Sequence, residues 1–290
     1  MDSQYPKNYW TARIRPKTGW FDVDLKGLWR YKDLILLLVK RDFTLVYKQT
    51  IIGPAWIIIQ PLMTTLVFTV VFGNLAGLPT DGMPQFLFYM AGNIAWSFFS
   101  GSLNHTARTF LTNRGLFEKV YFPRLSMPIS KILSLLINFF VQYTLFIAFV
   151  VIYALRPNAV VQPNLKLILL TPLMLLQIGM LGMGLGTIIS SVTTKYRDLM
   201  QLVSFGVQLW MYATPVTYPA SMIAERAPKL LSIYMLNPMT PVIELFRSAH
   251  LGTECLYINY YWLSIVVTLV VFTLGVLMFS RVEKTFMDTI

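Results

Sequence analysis

Long apolar stretches separated by short polar segments make up most of the chain after residue 50. A helix that crosses about 30 Å of hydrocarbon at about 1.5 Å per residue needs about 20 mostly apolar residues. Six segments meet this requirement: 51–75, 84–106, 127–155, 165–190, 199–218 and 258–280. The pattern therefore predicts an all-α polytopic membrane protein with a cytoplasmic N-terminus (1–50), a six-span transmembrane domain (51–280) and a cytoplasmic tail (281–290).

Composition agrees with a membrane protein. Of the 290 residues, 56% are hydrophobic and 13% are charged, whereas soluble domains contain about 25% charged residues. Cys255 is the only cysteine, which excludes an intrachain disulfide and a cysteine metal cluster. The first 33 residues lack the apolar core of a signal peptide, so we expect the N-terminus to stay in the cytoplasm.

Positive charge is concentrated on one side of the predicted spans. If both termini are cytoplasmic, all but five of the 24 Lys and Arg residues lie on that side, the exceptions being Arg156, Lys166, Arg226, Lys229 and Arg247. Cytoplasmic segments of membrane proteins carry an excess of Lys and Arg. This asymmetry predicts cytoplasmic termini, and it accounts for the net charge of +11 without nucleic acid. A basic inner rim also attracts anionic lipid headgroups.

The segment 27–50 has the pattern of an amphipathic helix. Its residues separate roughly onto two faces, with Leu28, Ile35, Leu38 and Leu45 on one and Lys32, Lys40, Arg41 and Lys48 on the other. We predict a helix that lies along the cytoplasmic membrane interface. The alternative is a soluble cap packed on the helical bundle.

The predicted last external segment, 219–257, contains two short apolar runs. LLSIYML (230–236) and VIELFRSAHL (242–251) are too short to span a membrane singly, and NPMTP (237–241) interrupts a helix between them. We predict two short re-entrant helices before the last span, because irregular backbone at membrane depth must be buried in protein or line a cavity. The alternative is a plain external loop.

Several kinds of chemistry are disfavoured. Only Lys131 and Lys166 bring a charge into a predicted span, and each lies near a span end, whereas proton-coupled transporters need ionisable groups inside their spans. Acid–base catalysis needs paired carboxylates or a carboxylate with a histidine. The external candidates Glu244 and Arg247 are spaced i and i+3 on one predicted helix, so we expect them to pair with each other.

The glycine-rich run GMLGMGLGT (179–187) does not predict a nucleotide site. It lacks the Gly-Lys-Ser/Thr ending of a phosphate-binding loop, and it lies within an apolar span. Gly182 and Gly186 instead predict a small-xxx-small face for close helix packing. Pro54 and Pro61 predict a kink in the first span.

The spans also carry uncharged polar and aromatic residues: Asn93, Trp96, Phe98, Phe99, Asn138, Gln142, Gln201, Ser204, Gln208, Trp210 and Tyr212. Amide groups and aromatic faces suit sugars, which hydrogen bond through hydroxyls and stack their apolar ring faces. The alternative is that these residues form lipid-belt aromatics and interhelical hydrogen bonds.

Five stretches together resemble one known family. They are RDFTLVYKQTIIGPAWIIIQPL (41–62), KVYFPRLSMP (119–128), KYRDLMQLVSFGVQLWMYATPVTYP (195–219), LNPMTPVIELFR (236–247) and EKTFMDTI (283–290). In this order they resemble the permease subunits of bacterial polysaccharide ABC exporters, in the ABC transporter type 2 family. Among these subunits the chain is most similar to exporters of lipid-linked O-antigen, and capsule and teichoic acid exporters are near relatives.

The resemblance implies a homodimer that works with two copies of a separate cytoplasmic ATPase, which binds ATP and Mg, and no cofactor in this chain. It implies contact with the ATPase through the segment 112–128 and a second loop, with coupling residues Asn113, Arg114, Phe117, Glu118, Lys119, Arg197 and Asp198. We expect the rings of Phe117, Tyr121 and Phe122 to insert at that interface.

The resemblance also implies three further groups of residues. The expected groups are headgroup-binding cations (Lys40, Arg41, Lys48, Arg124), a substrate channel (Phe68, Phe72, Trp96, Phe99, Gln201, Gln208, Tyr212) and an external gate (Asn237, Pro238, Glu244, Arg247). Rival functions are export of a small hydrophobic molecule, a membrane glycosyltransferase and a structural subunit without a transport path.

Overall fold

The structure, a computed structural model, describes residues 25–48, 53–117, 119–120, 122–157, 159–193, 198–254 and 258–285. Within these ranges all regular structure is helical and no β-strand occurs, so the predicted all-α class is confirmed. In chain order the first helices are α1 (Leu25–Arg30), α2 (Lys32–Tyr47), α3 (Trp56–Phe68), α4 (Gln85–Ala107), α5 (Thr109–Thr112), α6 (Arg114–Phe117) and α7 (Ser126–Ala154). They are followed by α8 (Leu165–Ile168), α9 (Thr171–Thr193), α10 (Leu199–Tyr212), α11 (Ala220–Arg226), α12 (Pro228–Met235), α13 (Met239–Leu251) and α14 (Asn259–Thr285).

Four helical segments among the described residues are long and apolar enough to cross a membrane: Gly53–Leu75, Ser126–Ala154, Thr171–Thr193 and Asn259–Val282. They correspond to the predicted first, third, fourth and sixth spans. The helix α4 has 23 residues, about 34 Å, which is long enough to cross, but its composition is less apolar. The helix α10 has 14 residues, about 21 Å, which is shorter than the hydrocarbon. The second and fifth spans therefore stay predictions.

The first span is not one regular helix. A 3₁₀ turn (Gly53–Ala55) contains Pro54, α3 contains Pro61 in its interior, and a π-helix (Thr69–Leu75) follows α3. The π-helix was not predicted, because its apolar sequence is compatible with an ordinary helix. Irregular helical turns of this kind occur frequently at functional sites.

The centre of the fold is the contact between α4 and α9. A Cβ atom at Gly182 would lie 2.6 Å from Ser102 Cβ, and one at Gly186 would lie 2.5 Å from Thr106 Cβ. Only glycine permits two backbones to approach this closely, so the predicted small-xxx-small face is confirmed. A second close contact was not predicted: a Cβ at Gly184 would lie 2.7 Å from the Cα of Phe272 on α14.

The amphipathic helix α2 lies against α7. Ile35 and Leu38 are buried, as their positions on the apolar face predict. The covered part of this face ends at Asp42, and Leu45 is 72% exposed, so the predicted position of the helix along the membrane interface stays a prediction. Leu36 and Leu37 are also exposed, so α2 has apolar surface both toward the bundle and away from it.

Much of the described segment between α10 and α14 is helical. The predicted short helices correspond to α12 and α13, and α11 precedes them. The break falls at Asn237, whose side-chain Oδ1 accepts a hydrogen bond from the Met239 N–H at 3.1 Å and so starts α13. Pro241 lies in the first turn of α13, where a missing N–H costs little. Their entry into the membrane stays a prediction.

Candidate functional site

The predicted coupling segment, 112–128, begins at the end of the one-turn helix α5, contains the one-turn helix α6 and reaches the start of α7. Asn113 joins α5 to α6: its Nδ2 donates to the Thr109 carbonyl at 3.0 Å, and its own carbonyl accepts from the Phe117 N–H at 3.1 Å. The segment is therefore short and helical, separate from the long helix before it. Its direct connection to α4 and α7 allows a push on the segment to reach two long helices.

An aromatic cluster anchors this segment to the bundle. The rings of Phe117 and Phe122 are 5.7 Å apart, and Phe117 lies 6.0 Å from Phe110, which stacks on Phe279 of α14 at 4.5 Å. Phe117 and Phe122 are only 5% and 4% exposed. Within the subunit both rings are therefore covered, which is more favourable than presenting their apolar area to water, and their contact with a partner stays a prediction. Tyr121 lies outside the described residues.

The charged residues of the segment divide into exposed and covered groups. Lys119 is exposed, and the Arg124 guanidinium lies 5.5 Å from the centre of the Phe117 ring. Asp198 is exposed just before α10. The coupling predictions for Glu118, Arg197 and the side chain of Arg114 lie outside the described residues.

The predicted headgroup-binding cations of α2 also differ from one another. Lys40 and Lys48 are exposed, whereas the Arg41 Nη2 atom lies 3.0 Å from Asp42 Oδ1. The other oxygen of Asp42 lies 2.6 Å from the Lys131 ammonium on α7. Arg41 is therefore partly neutralised by its neighbour. The ion pair between Asp42 and Lys131 was missed, because no local spacing connects residues so far apart in the sequence.

The predicted channel residues divide between the core and the surface. Trp96 and Phe99 of α4 are 5% and 0% exposed, and their rings lie 6.3 Å and 5.2 Å from that of Trp210 on α10. In this conformation both support α10 from the protein side instead of forming open surface. Phe68 and Phe72 are half-buried, with ring centres 5.4 Å apart.

One face of α10 is exposed along its whole length. Gln201, Phe205, Gln208 and Tyr212 are spaced by four, three and four residues and are all exposed, so they lie on the same side of the helix. We call these four residues the α10 face. It contains no charged side chain and combines amides with aromatic rings, and its predicted role as a channel wall stays a prediction.

A buried charge pair fixes α13 to its neighbours. The Arg247 guanidinium is 1% exposed; its Nη1 lies 3.4 Å from Glu244 Oε1, and its Nη2 donates to the Val216 carbonyl at 2.7 Å. The same guanidinium lies 3.6 Å from the centre of the Phe88 ring on α4. The predicted pairing of Glu244 with Arg247 is confirmed. Burial raises the pKa of the Glu244 carboxyl, and the positive charge of Arg247 acts in the opposite direction.

The remaining predicted gate residues also hold α13 in place. Asn237 Nδ2 donates to Thr214 Oγ1 at 2.8 Å and to the Ala213 carbonyl at 3.2 Å, next to the end of α10. The Pro238 carbonyl accepts a hydrogen bond from Ser264 Oγ on α14. Movement of α10 is therefore mechanically connected to the start of α13.

Comparison with known proteins assigns the class of this fold. Residues 33–251 match the ABC-2 type transporter family of membrane proteins, so the chain belongs to that family, as its motifs predicted. It is 27% identical over 264 residues to an O-antigen export system permease protein RfbA of Klebsiella pneumoniae, covering 88% of this chain and 94% of that protein. A second RfbA of K. pneumoniae is 25% identical over 260 residues, with the same coverage. The RfbA of Myxococcus xanthus is 29% identical over 227 residues, covering 77% of this chain and 82% of that protein.

Proposed function

We propose that this chain is the transmembrane subunit of an ABC exporter that moves lipid-linked polysaccharide of the O-antigen type across the bacterial inner membrane. The observation that carries the proposal is the similarity to O-antigen export permeases over 88% of this chain and 94% of two of those proteins. Similarity that extends nearly from end to end supports a shared function of the whole subunit. The family membership of residues 33–251 supports ATP hydrolysis by a separate subunit.

The glycan path in this proposal runs along the α10 face of two copies of the chain. Gln201, Gln208 and Tyr212 supply neutral hydrogen-bonding and aromatic groups, and Phe68 and Phe72 of the first span supply further aromatic surface. A neutral wall suits a sugar chain, because a charged wall holds some sugars too tightly and repels others. Trp96 and Phe99 contribute by fixing Trp210, and hence α10, from behind.

In this proposal, the ATPase subunits act on the transmembrane subunit from the cytoplasmic side. Lys119 is exposed on the coupling segment, and Asp198 is exposed on the loop before α10, so both are available to a partner surface. We propose that closure of the two ATPase subunits pushes on the segment 112–124, and that the aromatic cluster transmits this movement to α14. Six spans with both termini in the cytoplasm keep both contacts on the ATPase side.

The outer exit is formed by α11, α12 and α13. In the proposal, displacement of α10 reaches α13 through Asn237, which bridges the end of one helix and the start of the other. Glu244 and Arg247 then act as the fixed end of the gate, since Arg247 is buried and the Glu244 side chain is only 13% exposed. The basic residues Lys40, Lys48 and Arg124 attract the diphosphate of the lipid-linked substrate at the inner surface.

Charge reversal of the coupling segment tests the energy input. Lys119→Glu combined with Arg124→Glu is expected to lower copurification of the ATPase subunit by about tenfold. The new carboxylates would face the acidic partner groups that the two cations are proposed to bind, and like charges repel. ATP turnover and surface polysaccharide are expected to fall with it. Lys119→Glu alone serves as a variant that leaves the aromatic cluster unchanged. The matched control, Lys166→Glu with Lys229→Glu, reverses two exposed lysines that are predicted to lie outside. Full complex formation by both coupling variants would contradict the assignment.

The substrate is tested in cells. Deleting the gene is expected to remove the surface polysaccharide and to accumulate the lipid-linked glycan inside, and the wild-type gene is expected to restore export. An unchanged surface polysaccharide would exclude this substrate and favour one of the rival cargoes.

A further inference from the structure

A cavity of about 300 Å³ lies between α3, α4 and α7, away from the α10 face. Six uncharged polar residues line it: Gln60, Thr64, Asn93, Ser97, Asn138 and Gln142. We call it the amide cavity. Its volume is at the lower end of the range for small-molecule sites in proteins. The sequence identifies Asn93, Asn138 and Gln142 as individual polar residues within spans. Their proximity follows only from the packing of α3, α4 and α7.

Two of these amides are buried and aimed into the cavity without a protein partner. Asn93 is 8% exposed and Gln142 is 9% exposed, and neither side chain hydrogen bonds another residue that the structure describes. Each amide has two donors and an acceptor. Burying such a group without a hydrogen bond is costly, above all inside a membrane-spanning helix. Both positions therefore favour a polar occupant.

The rest of the lining selects the kind of occupant. Neither an acidic nor a basic residue is among the residues that line the amide cavity, which disfavours a phosphate, a carboxylate or an ammonium group. Trp56, Phe98 and Phe139 add aromatic faces to its wall. Neutral amides beside aromatic rings match a sugar ring, whose hydroxyls hydrogen bond while its C–H face lies on an aromatic surface.

The cavity is also open to a ligand. Trp56, Gln60 and Ser97 are exposed, so they mark the mouth, and the buried Asn93 and Gln142 mark the floor. The lining comes from the middle of α4 and of α7. A ligand that enters from the side therefore reaches the amides without passing along the α10 face.

We propose that the amide cavity binds one uncharged, polyhydroxylated ring, the chemistry of a single neutral sugar unit. The unit is either a free sugar or the sugar headgroup of a lipid. This site goes beyond the proposed transport function, because its ligand class is argued from the lining alone and its occupation requires no ATPase.

Binding is tested with the full-length chain in nanodiscs of phosphatidylethanolamine and phosphatidylglycerol, prepared without glycosidic detergent. The probes are the methyl α-glycosides of glucose, galactose and mannose, and octyl β-glucoside below its micelle concentration. Tetraethylene glycol monooctyl ether is the control probe, since it has the same tail and a neutral head without a ring. Ligand-observed NMR then gives the affinity of each probe for each variant.

The decisive variant is Asn93→Leu with Gln142→Leu, which removes both floor amides and leaves uncharged apolar side chains in their place. We expect it to weaken binding of the sugar probes by about tenfold or more, from the loss of two buried hydrogen-bonding groups. The matched control is Asn74→Leu with Gln162→Leu, two exposed amides outside the cavity, and it should bind as the wild type does. Gln60→Leu, at the exposed mouth, also weakens binding and decides the question if the double variant does not fold.

The probes distinguish the two sources of the ring. Binding of a methyl glycoside indicates a free sugar, whereas binding of octyl glucoside alone indicates a lipid headgroup. The proposal is overturned if no sugar probe binds, if the ether binds as tightly as octyl glucoside, or if the cavity variants bind like wild type. Each of these results leaves the transport function untouched, since that function is measured by export.

Discussion

Arg247 is the residue whose environment differs most from its sequence context. Its spacing from Glu244 predicts the ion pair, and the pair is present. Its near-complete burial could not be predicted, because a basic residue in a segment between two spans is usually exposed. The groups that accommodate it, the Val216 carbonyl and the Phe88 ring, come from other parts of the chain.

Replacing this guanidinium tests its structural role. Arg247→Met leaves the largely covered Glu244 without its counter-charge, so we expect a loss of about 3 kcal/mol of stability. Thermal unfolding of the purified subunit in detergent measures the loss. Arg226→Met, at an exposed position on α11, is the matched control and should unfold like wild type. Equal unfolding temperatures for the two variants would show that the pair contributes nothing to stability.

The candidate site was only partly predictable at the scale of single residues. Residue type indicated the neutral and aromatic character of the spans, and the exposed positions of Gln201, Gln208 and Tyr212 agree with that character. Burial of Phe117 and Phe99 was not predictable, because an aromatic ring is equally suited to a partner interface, a channel wall and a core. Long-range packing decides among these environments.

At the scale of helices, glycine positions control how closely α9 approaches its neighbours. A Cβ at Gly184 would lie 2.7 Å from backbone atoms of Phe272, and Gly275 approaches the Gly184 carbonyl from the other side. Backbone cannot move away as a flexible side chain does. The contact between α9 and α14 therefore depends on both glycines.

Alanine substitution separates this packing requirement from helix propensity. Gly275→Ala is expected to destabilise the subunit by about 2 kcal/mol, because its methyl group overpacks the contact. Gly206→Ala, on α10, meets no atom within 4 Å and is expected to gain up to about 1 kcal/mol from better helix propensity. Unfolding temperatures measure both effects. Destabilisation by both variants would indicate that backbone flexibility, not packing, explains the glycines.

The ion pair of Asp42 with Lys131 ties α2 to the third span. Asp42→Asn removes this ion pair and should weaken the attachment of α2 to α7. The Lys131 side chain is long enough to place its ammonium group at the membrane surface, so we expect the effect to stay local. We expect hydrogen exchange of the amides in 32–47 to rise about tenfold, with exchange in α9 unchanged. Asp33→Asn, at an exposed position of the same helix, is the control. Faster exchange throughout the protein would contradict a local role for the pair.

Helix positions were more predictable than helix lengths. Long apolar runs are unambiguous, so four predicted spans coincide with apolar helices of sufficient length. The fifth predicted span ends as a helix at Tyr212, six residues early, since Pro215 lies in the turns that follow. An apolar run indicates that a segment is buried or in contact with lipid. It does not show whether the backbone is a helix or a series of tightly packed turns.

At the scale of the whole molecule, the α10 face is a surface that one subunit leaves exposed. In the proposed homodimer it faces the second copy across the glycan path. A monomeric transporter would instead present these amides to lipid, where they lack hydrogen-bond partners. The arrangement of the subunit thus favours a path built from two chains.

The single cysteine of the sequence makes this arrangement testable. In a Cys255→Ser background, Gln208→Cys is expected to cross-link into dimers with a flexible bismaleimide in native membranes, because both copies face the same path. The same reaction is expected to block export by obstructing that path. Val266→Cys, at a position of α14 that is 55% exposed, is the control and should do neither. Dimers formed through Val266→Cys and not through Gln208→Cys would instead assign the interface to α14, and the glycan path would then have to be sought away from the α10 face.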